Sequence, residues 1–174
     1  MRFRYAPTCC YIMLASFLGQ ASLAQASQHG YLLWQKAYTG MTEQKIKSLY
    51  PSVTVKENTP DQIGHTHLSD DNYMVGKCKT TLDFEFKDNA LMSISISLKD
   101  LSDMNCQSEL HGSVETKYGP PNKTRVINGG RSEVWNRKGG VTIEVMGGSF
   151  PSLNQYMITI LYYKTGNDSM ASQL

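Results

Sequence analysis

Apolar and polar positions alternate most regularly between residues 81 and 99. Leu82, Phe84 and Phe86 are separated by Thr81, Asp83, Glu85 and Lys87; after Asp88-Asn89 the alternation resumes with Met92, Ile94, Ile96 and Leu98 against Ser93, Ser95, Ser97 and Lys99. A period of two sends successive side chains to opposite faces of a strand. The pattern therefore predicts an antiparallel hairpin with one covered and one wet face.

Two stretches carry a helical period instead. Thr42 caps a run over 43–50 with Ile46 and Leu49 three apart, and Pro51 ends it. A second run, about 105–118, spaces Leu110, Val114 and Tyr118 by four and stops at Gly119-Pro120-Pro121. Residues 29–39 read as a first helix or an irregular arm, Val53 and Val55 as a short strand, and the polar, turn-rich 57–74 as a long loop. Beyond residue 121 double glycines at 129–130, 139–140 and 147–148 meter out strands near 124–128, 131–137, 141–146 and 155–163.

The chain thus repeats itself loosely. A helix ending Leu49-Tyr50-Pro51 precedes "TTLDFEFKDNALMSISI", and a helix ending Lys117-Tyr118-Gly119-Pro120 precedes "RSEVWNRKGGVTIEV", with Phe86 and Trp135 in equivalent places. Two helix-plus-hairpin units, about 38–99 and 105–163, sharing one sheet predict an α+β fold. It would be a two-layer sandwich, mainly antiparallel, with helices on one face.

Gly40-Met41-Thr42, a short helix carrying Ile46 and Leu49, and a later helix ending Tyr-Gly-Pro resemble the helix-hairpin unit of the SmpA/OmlA outer-membrane assembly lipoproteins. The tandem arrangement resembles the β-lactamase inhibitor protein. Both resemblances imply the same fold and a role in protein binding rather than catalysis.

The N-terminus changes how composition is read. Arg2 and Arg4, the apolar run 11–18 and Ala24-Gln25-Ala26 have the order of an export signal, which predicts cleavage after residue 26 and one domain over 27–174. The apolar run is far below the roughly 20 residues needed to span a bilayer. Cleavage removes two of the 17 basic residues and none of the 15 acidic ones, so the remainder is formally neutral. That balance offers no general basic surface for nucleic acid. Cys9 and Cys10 would leave with the signal. Cys78 and Cys106 would remain in an oxidising compartment, where a pair reads first as a disulfide rather than as a thiol with His111 as base. A hairpin brings its open ends together, which would let the two meet.

Motifs with chemical potential are few. His65 and His67, two apart with Asp70 and Asp71 nearby, have the spacing of metal ligands on a strand, but no third His or Cys follows at matching spacing. Gly147-Gly148-Ser149-Phe150-Pro151 approaches a nucleophile elbow, yet proline replaces its last glycine and a strand is expected to follow. Asp83 and Glu85 neighbour each other on one strand, whereas glycosidase carboxylates flank a bond from separate elements. No catalytic residue, metal site or cofactor is assigned.

The expected working surface is the wet sheet face bearing Thr81, Asp83, Glu85, Ser93, Ser95, Ser97, Thr142, Glu144 and Tyr163, a shallow acidic recess suited to a basic protein loop. The sequence therefore describes a non-catalytic, periplasmic or secreted module that binds another envelope or secreted protein, as inhibitor, immunity-type or assembly factor. The alternative is a domain binding a small ligand or cell-wall fragment.

Overall fold

The 81–99 hairpin forms as its alternation requires, and the rest of the fold grows around it. The computed structural model describes residues 30–56, 64–127 and 129–166; the expected export signal, with Cys9 and Cys10, and residues 57–63 of the expected loop lie outside these. In chain order the elements are β1 (Leu32–Trp34), β2 (Ala37–Tyr38), α1 (Glu43–Leu49), β3 (Thr54–Lys56), β4 (His65–Val75), β5 (Cys78–Lys87) and β6 (Ala90–Leu98). Then come α2 (Met104–Tyr118), β7 (Lys123–Ile127), β8 (Gly130–Arg137), β9 (Val141–Phe150) and β10 (Gln155–Lys164). Strands β3 to β10 build one eight-stranded antiparallel sheet in the order β3-β4-β5-β6-β10-β9-β8-β7, and β1 and β2 form a separate two-stranded sheet.

The expected helix-on-sheet sandwich is corrected by this count. Among the described residues the protein is mostly β, and the two α-helices there, of 7 and 15 residues, do not make a layer over eight strands. Eight strands at about 4.8 Å spacing span roughly 34 Å, whereas a helix with its side chains covers about 10 Å. Three stretches explain the excess of strand. Residues 65–75, read as loop, form the 11-residue β4, which pairs with β3 on one side and β5 on the other. Residues within 29–39 form the β1–β2 hairpin. Gly147-Gly148 does not mark a turn but lies inside β9, with Gly148 opposite Gly130. There the two strands pass so closely that a Cβ on Gly130 would sit 2.2 Å from the Gly147 carbonyl oxygen.

Each half is a helix followed by a four-strand meander rather than by a hairpin. The halves join where β6 pairs antiparallel with β10, placing Ile96 opposite Ile160 and Ile94 opposite Tyr162. Phe86 on β5 and Trp135 on β8 are therefore third-strand and second-strand residues of their halves, not equivalents. In both halves the last strand is central and the first is an edge.

Local chemistry sets the element ends. Thr42 Oγ1 accepts from Lys45 N at 3.3 Å at the start of α1, and Asp103 Oδ1 accepts from Cys106 N at 2.9 Å at the start of α2. Gly119 closes α2 at φ 79°, and its carbonyl accepts from Trp135 Nε1 at 2.8 Å. Asp88 and Asn89 both take positive φ, 51° and 60°, as a two-residue hairpin turn needs. A bulge after Glu85 places Leu91, rather than Met92, opposite Phe86 in the core.

The core lies on the helix-side face: Leu68, Phe84, Phe86, Ile94, Ile96, Trp135, Ile143, Ile160 and Tyr162 are each at most 3% exposed. Tyr50 packs on Phe84 with ring centroids 4.8 Å apart, and Trp34 on Tyr162 at 5.2 Å. Burial raises the Tyr162 phenol above its ordinary pKa, and the neighbouring Tyr118 adds to this. Cys78 and Cys106 form a disulfide with Cα atoms 5.5 Å apart, tying the start of β5 to the first turn of α2.

Candidate functional site

All nine residues of the expected working surface share the face opposite the helices. The register shows it: Asp83 lies across from Ser95, Ser95 from Leu161, and Leu161 from Glu144. The face is less open than its sequence suggests. Thr81, Asp83, Glu85, Ser95 and Ser97 are half-buried, while Ser93, Thr142, Glu144 and Tyr163 are buried.

Its acids are also engaged. Glu85 bonds His65 Nδ1 at 3.0 Å and accepts from Ser93 Oγ at 2.7 Å. Glu144 accepts from Ser132 Oγ and, at 3.3 Å, from the Tyr163 hydroxyl. Asp83 Oδ1 is shielded from solvent and has Lys56 Nζ at 3.6 Å, near enough for an ion pair but long for a hydrogen bond. A recess of about 210 Å³ remains, lined by Lys56, His67, Asp83, Glu85, Ser93, Ser95 and Leu161. It is mixed in charge rather than acidic, because β3 brings Lys56 beside Asp83, and β4, read as loop, adds His67 to its wall. Among the described residues no group of three His, Cys, Asp or Glu converges to hold a metal.

A larger cavity, about 520 Å³, opens on the other side of the sheet between α2 and the ends of β7, β8, β9 and β10. Gly147, across from Arg131 and Ile158, puts no side chain into it. Gln107, on the first turn of α2, donates to the carbonyls of Gly148 at 3.1 Å and Met157 at 3.2 Å and so pins the helix over one end. One wall is electrostatic. Glu133, 5% exposed, receives His111 Nε2 in a short hydrogen bond and Arg131 Nε at 3.3 Å. A ring nitrogen that donates to Glu133 has no lone pair for Arg131, so the 3.3 Å contact from that guanidinium to Nε2 is packing, not a bond. Buried Glu133 is thus compensated from two sides.

Ser149 lines the same cavity, but within a strand rather than at a strand-to-helix turn. His111 Nε2 is committed to Glu133, and Nδ1 faces Glu115 at 3.9 Å, so both ring nitrogens look toward carboxylates. Cys106, once paired with His111 as a thiol candidate, is in the disulfide.

The edge beside the cavity is exposed along its whole length. All five residues of β7 are exposed, Val126 at 91%, and Val126 also lines the cavity. Sequence reasoning placed this strand but gave it no role. A signal was available: residues 117–138 contain Lys117, Lys123, Arg125, Arg131, Arg137 and Lys138 against the single acid Glu133. The formal neutrality of residues 27–174 taken together hid that local excess.

Comparison of the chain with protein-family models, with curated proteins and with solved structures finds no match. The likeness to the SmpA/OmlA lipoproteins and to the β-lactamase inhibitor protein rests on its short motifs alone. No helix among the described residues is long and apolar enough to cross a membrane.

Proposed function

We propose that this chain is an exported protein-binding module that takes an extended, acidic segment of its partner as an added strand on β7. The observation that carries the reading is the bare edge itself. Among the described residues β7 pairs only with β8 and leaves its second row of backbone donors and acceptors to a partner, with a cavity alongside for the partner's side chains. A polypeptide is the molecule that matches such a row, and strand addition uses the main chain for affinity and neighbouring pockets for specificity.

Charge selects the partner. Lys123 and Arg125 project from β7, and Arg131 follows on β8. Two copies joined edge to edge about Arg125 would set arginine against arginine, which disfavours self-association. An acidic strand meets no such cost. The opposite sheet face is a weaker candidate because Asp83, Glu85 and Glu144 already have partners within the chain. Export is supported by the basic, apolar and Ala-x-Ala order at the N-terminus.

Photo-crosslinking side chains placed at Arg125, Val126 and the exposed Leu153, in the cells that make the protein, test the reading. A discrete protein adduct from 125 and 126, absent at 153 and lost on Arg125→Glu, is expected. No adduct from β7, or equal labelling at all three positions, overturns it.

A further inference from the structure

We propose that a second cleft, between the β1–β2 hairpin, the C-terminal turn of α2 and the β8–β9 turn, binds a small organic anion that carries a flat apolar ring. The cleft encloses about 350 Å³, within the roughly 300–1,000 Å³ usual for small-molecule sites. The inference is independent of strand addition at β7, since no β7 residue lines this space.

Three elements converge there. The hairpin supplies Leu33 and Trp34, the helix end Lys117 and Tyr118, and the strand turn Arg137 and Lys138. The lining holds three cations and no carboxylate. Among the described residues no carboxylate lies within ion-pair distance of Lys117, Arg137 or Lys138, although other cations of the chain do find such partners. Lys117 and Arg137 instead stand over aromatic faces: Lys117 Nζ is 5.5 Å from the Trp34 centroid and 5.1 Å from that of Tyr118, and Arg137 Cζ is 4.9 Å from Tyr118. The negative end of α2 accounts for part of the placing of Lys117. It does not account for Arg137 and Lys138, which sit on another element.

Apolar lining residues and unneutralised cations specify complementary chemistry: a ring to lie among Leu33, Val141 and Ile143 beside Trp34, and a carboxylate or phosphate reached by Arg137 and Lys138. Arginine favours such groups because its fork matches two oxygens at once.

Calorimetric titration of the intact protein with three probes tests this: 2-naphthoate (ring and anion), 2-naphthalenemethanol (ring alone) and inorganic phosphate (anion alone). Naphthoate should bind most tightly. The Arg137→Gln/Lys138→Gln variant should weaken it about tenfold or more while leaving the alcohol within about twofold, because only charge-assisted bonds are lost. Trp34→Phe should weaken naphthoate with the near-ultraviolet circular dichroism of Trp135 retained. Phosphate binding as tightly as naphthoate would remove the ring from the ligand class. Equal binding of naphthoate and alcohol, unchanged affinity in the double variant, or no binding of any probe would overturn the proposal.

Discussion

Removing the Cys78–Cys106 bridge tests how this sheet is held to its longer helix. The two cysteines are 28 apart in sequence and enclose the whole β5–β6 hairpin and the turn into α2. On the chain-entropy model a closed loop of about 29 residues lowers the entropy of the unfolded chain by roughly 12 cal/mol/K, or about 3.6 kcal/mol at 25 °C. Packing adds a second term: Cys78 is fully buried and Cys106 is 4% exposed, so Cys78→Ala/Cys106→Ala also leaves a small void. Reduction separates the two, because reduced wild type loses the link but keeps both sulfurs. Urea unfolding followed by tryptophan fluorescence is suitable, since Trp135 is 1% exposed in the fold. With a slope of about 2 kcal/mol/M, reduction should lower the midpoint by roughly 1.8 M. The double alanine variant should fall slightly further. A midpoint shift below about 0.5 M on reduction would refute the reasoning, as would two titratable thiols in the isolated protein.

Further outcomes follow from single contacts. Glu133→Gln keeps the volume but strips His111 and Arg131 of their carboxylate; because Arg131 is more than half exposed and rehydrates readily, a loss of about 1–2 kcal/mol in urea unfolding is expected. Gly130→Ala forces a methyl toward the Gly147 carbonyl, a backbone atom that cannot step aside, and should cost at least about 2 kcal/mol, read as a lower thermal midpoint. Asp100 is held below the usual 3.8 by hydrogen bonds from the Ser102 hydroxyl and backbone N–H. A depressed acid contributes stability above its unfolded value that fades as pH falls through the folded value, so Ser102→Ala should move the Asp100 NMR titration upward toward 3.8 and shrink that acid-side dependence. Ser95→Arg, half-buried in the recess of the outer face, tests that face: unchanged partner affinity leaves β7 as the contact surface.

What the sequence determined by itself are features whose causes lie within a few residues. The β5–β6 hairpin follows from strict alternation around Asp88-Asn89, whose side chains tolerate the left-handed backbone the turn demands. The shorter helix begins at Thr42 and the longer one ends at Gly119, because capping involves only the adjacent turn. The shared wet face of Asp83, Glu85 and Ser95 also follows from pleat alone.

Tertiary structure decided the rest. The sequence of β4 is polar on both faces, and Leu68 is its one fully buried side chain; it becomes a strand because β3 and β5 satisfy its backbone on either side. That strand changed the fold from a two-layer sandwich to a mostly β protein, and its His65 hydrogen-bonds Glu85, an acid of the expected site. The cavity by α2 needs Gln107, Arg131, Gly147 and Ile158, which span 51 positions of chain and meet only when α2 folds over the paired β8, β9 and β10. The exposure of β7 is likewise invisible locally, since an edge is defined by which strand is not beside it. Periodicity and caps are written in short-range sterics and hydrogen bonds; strand order, edges and cavities depend on partners tens of residues away.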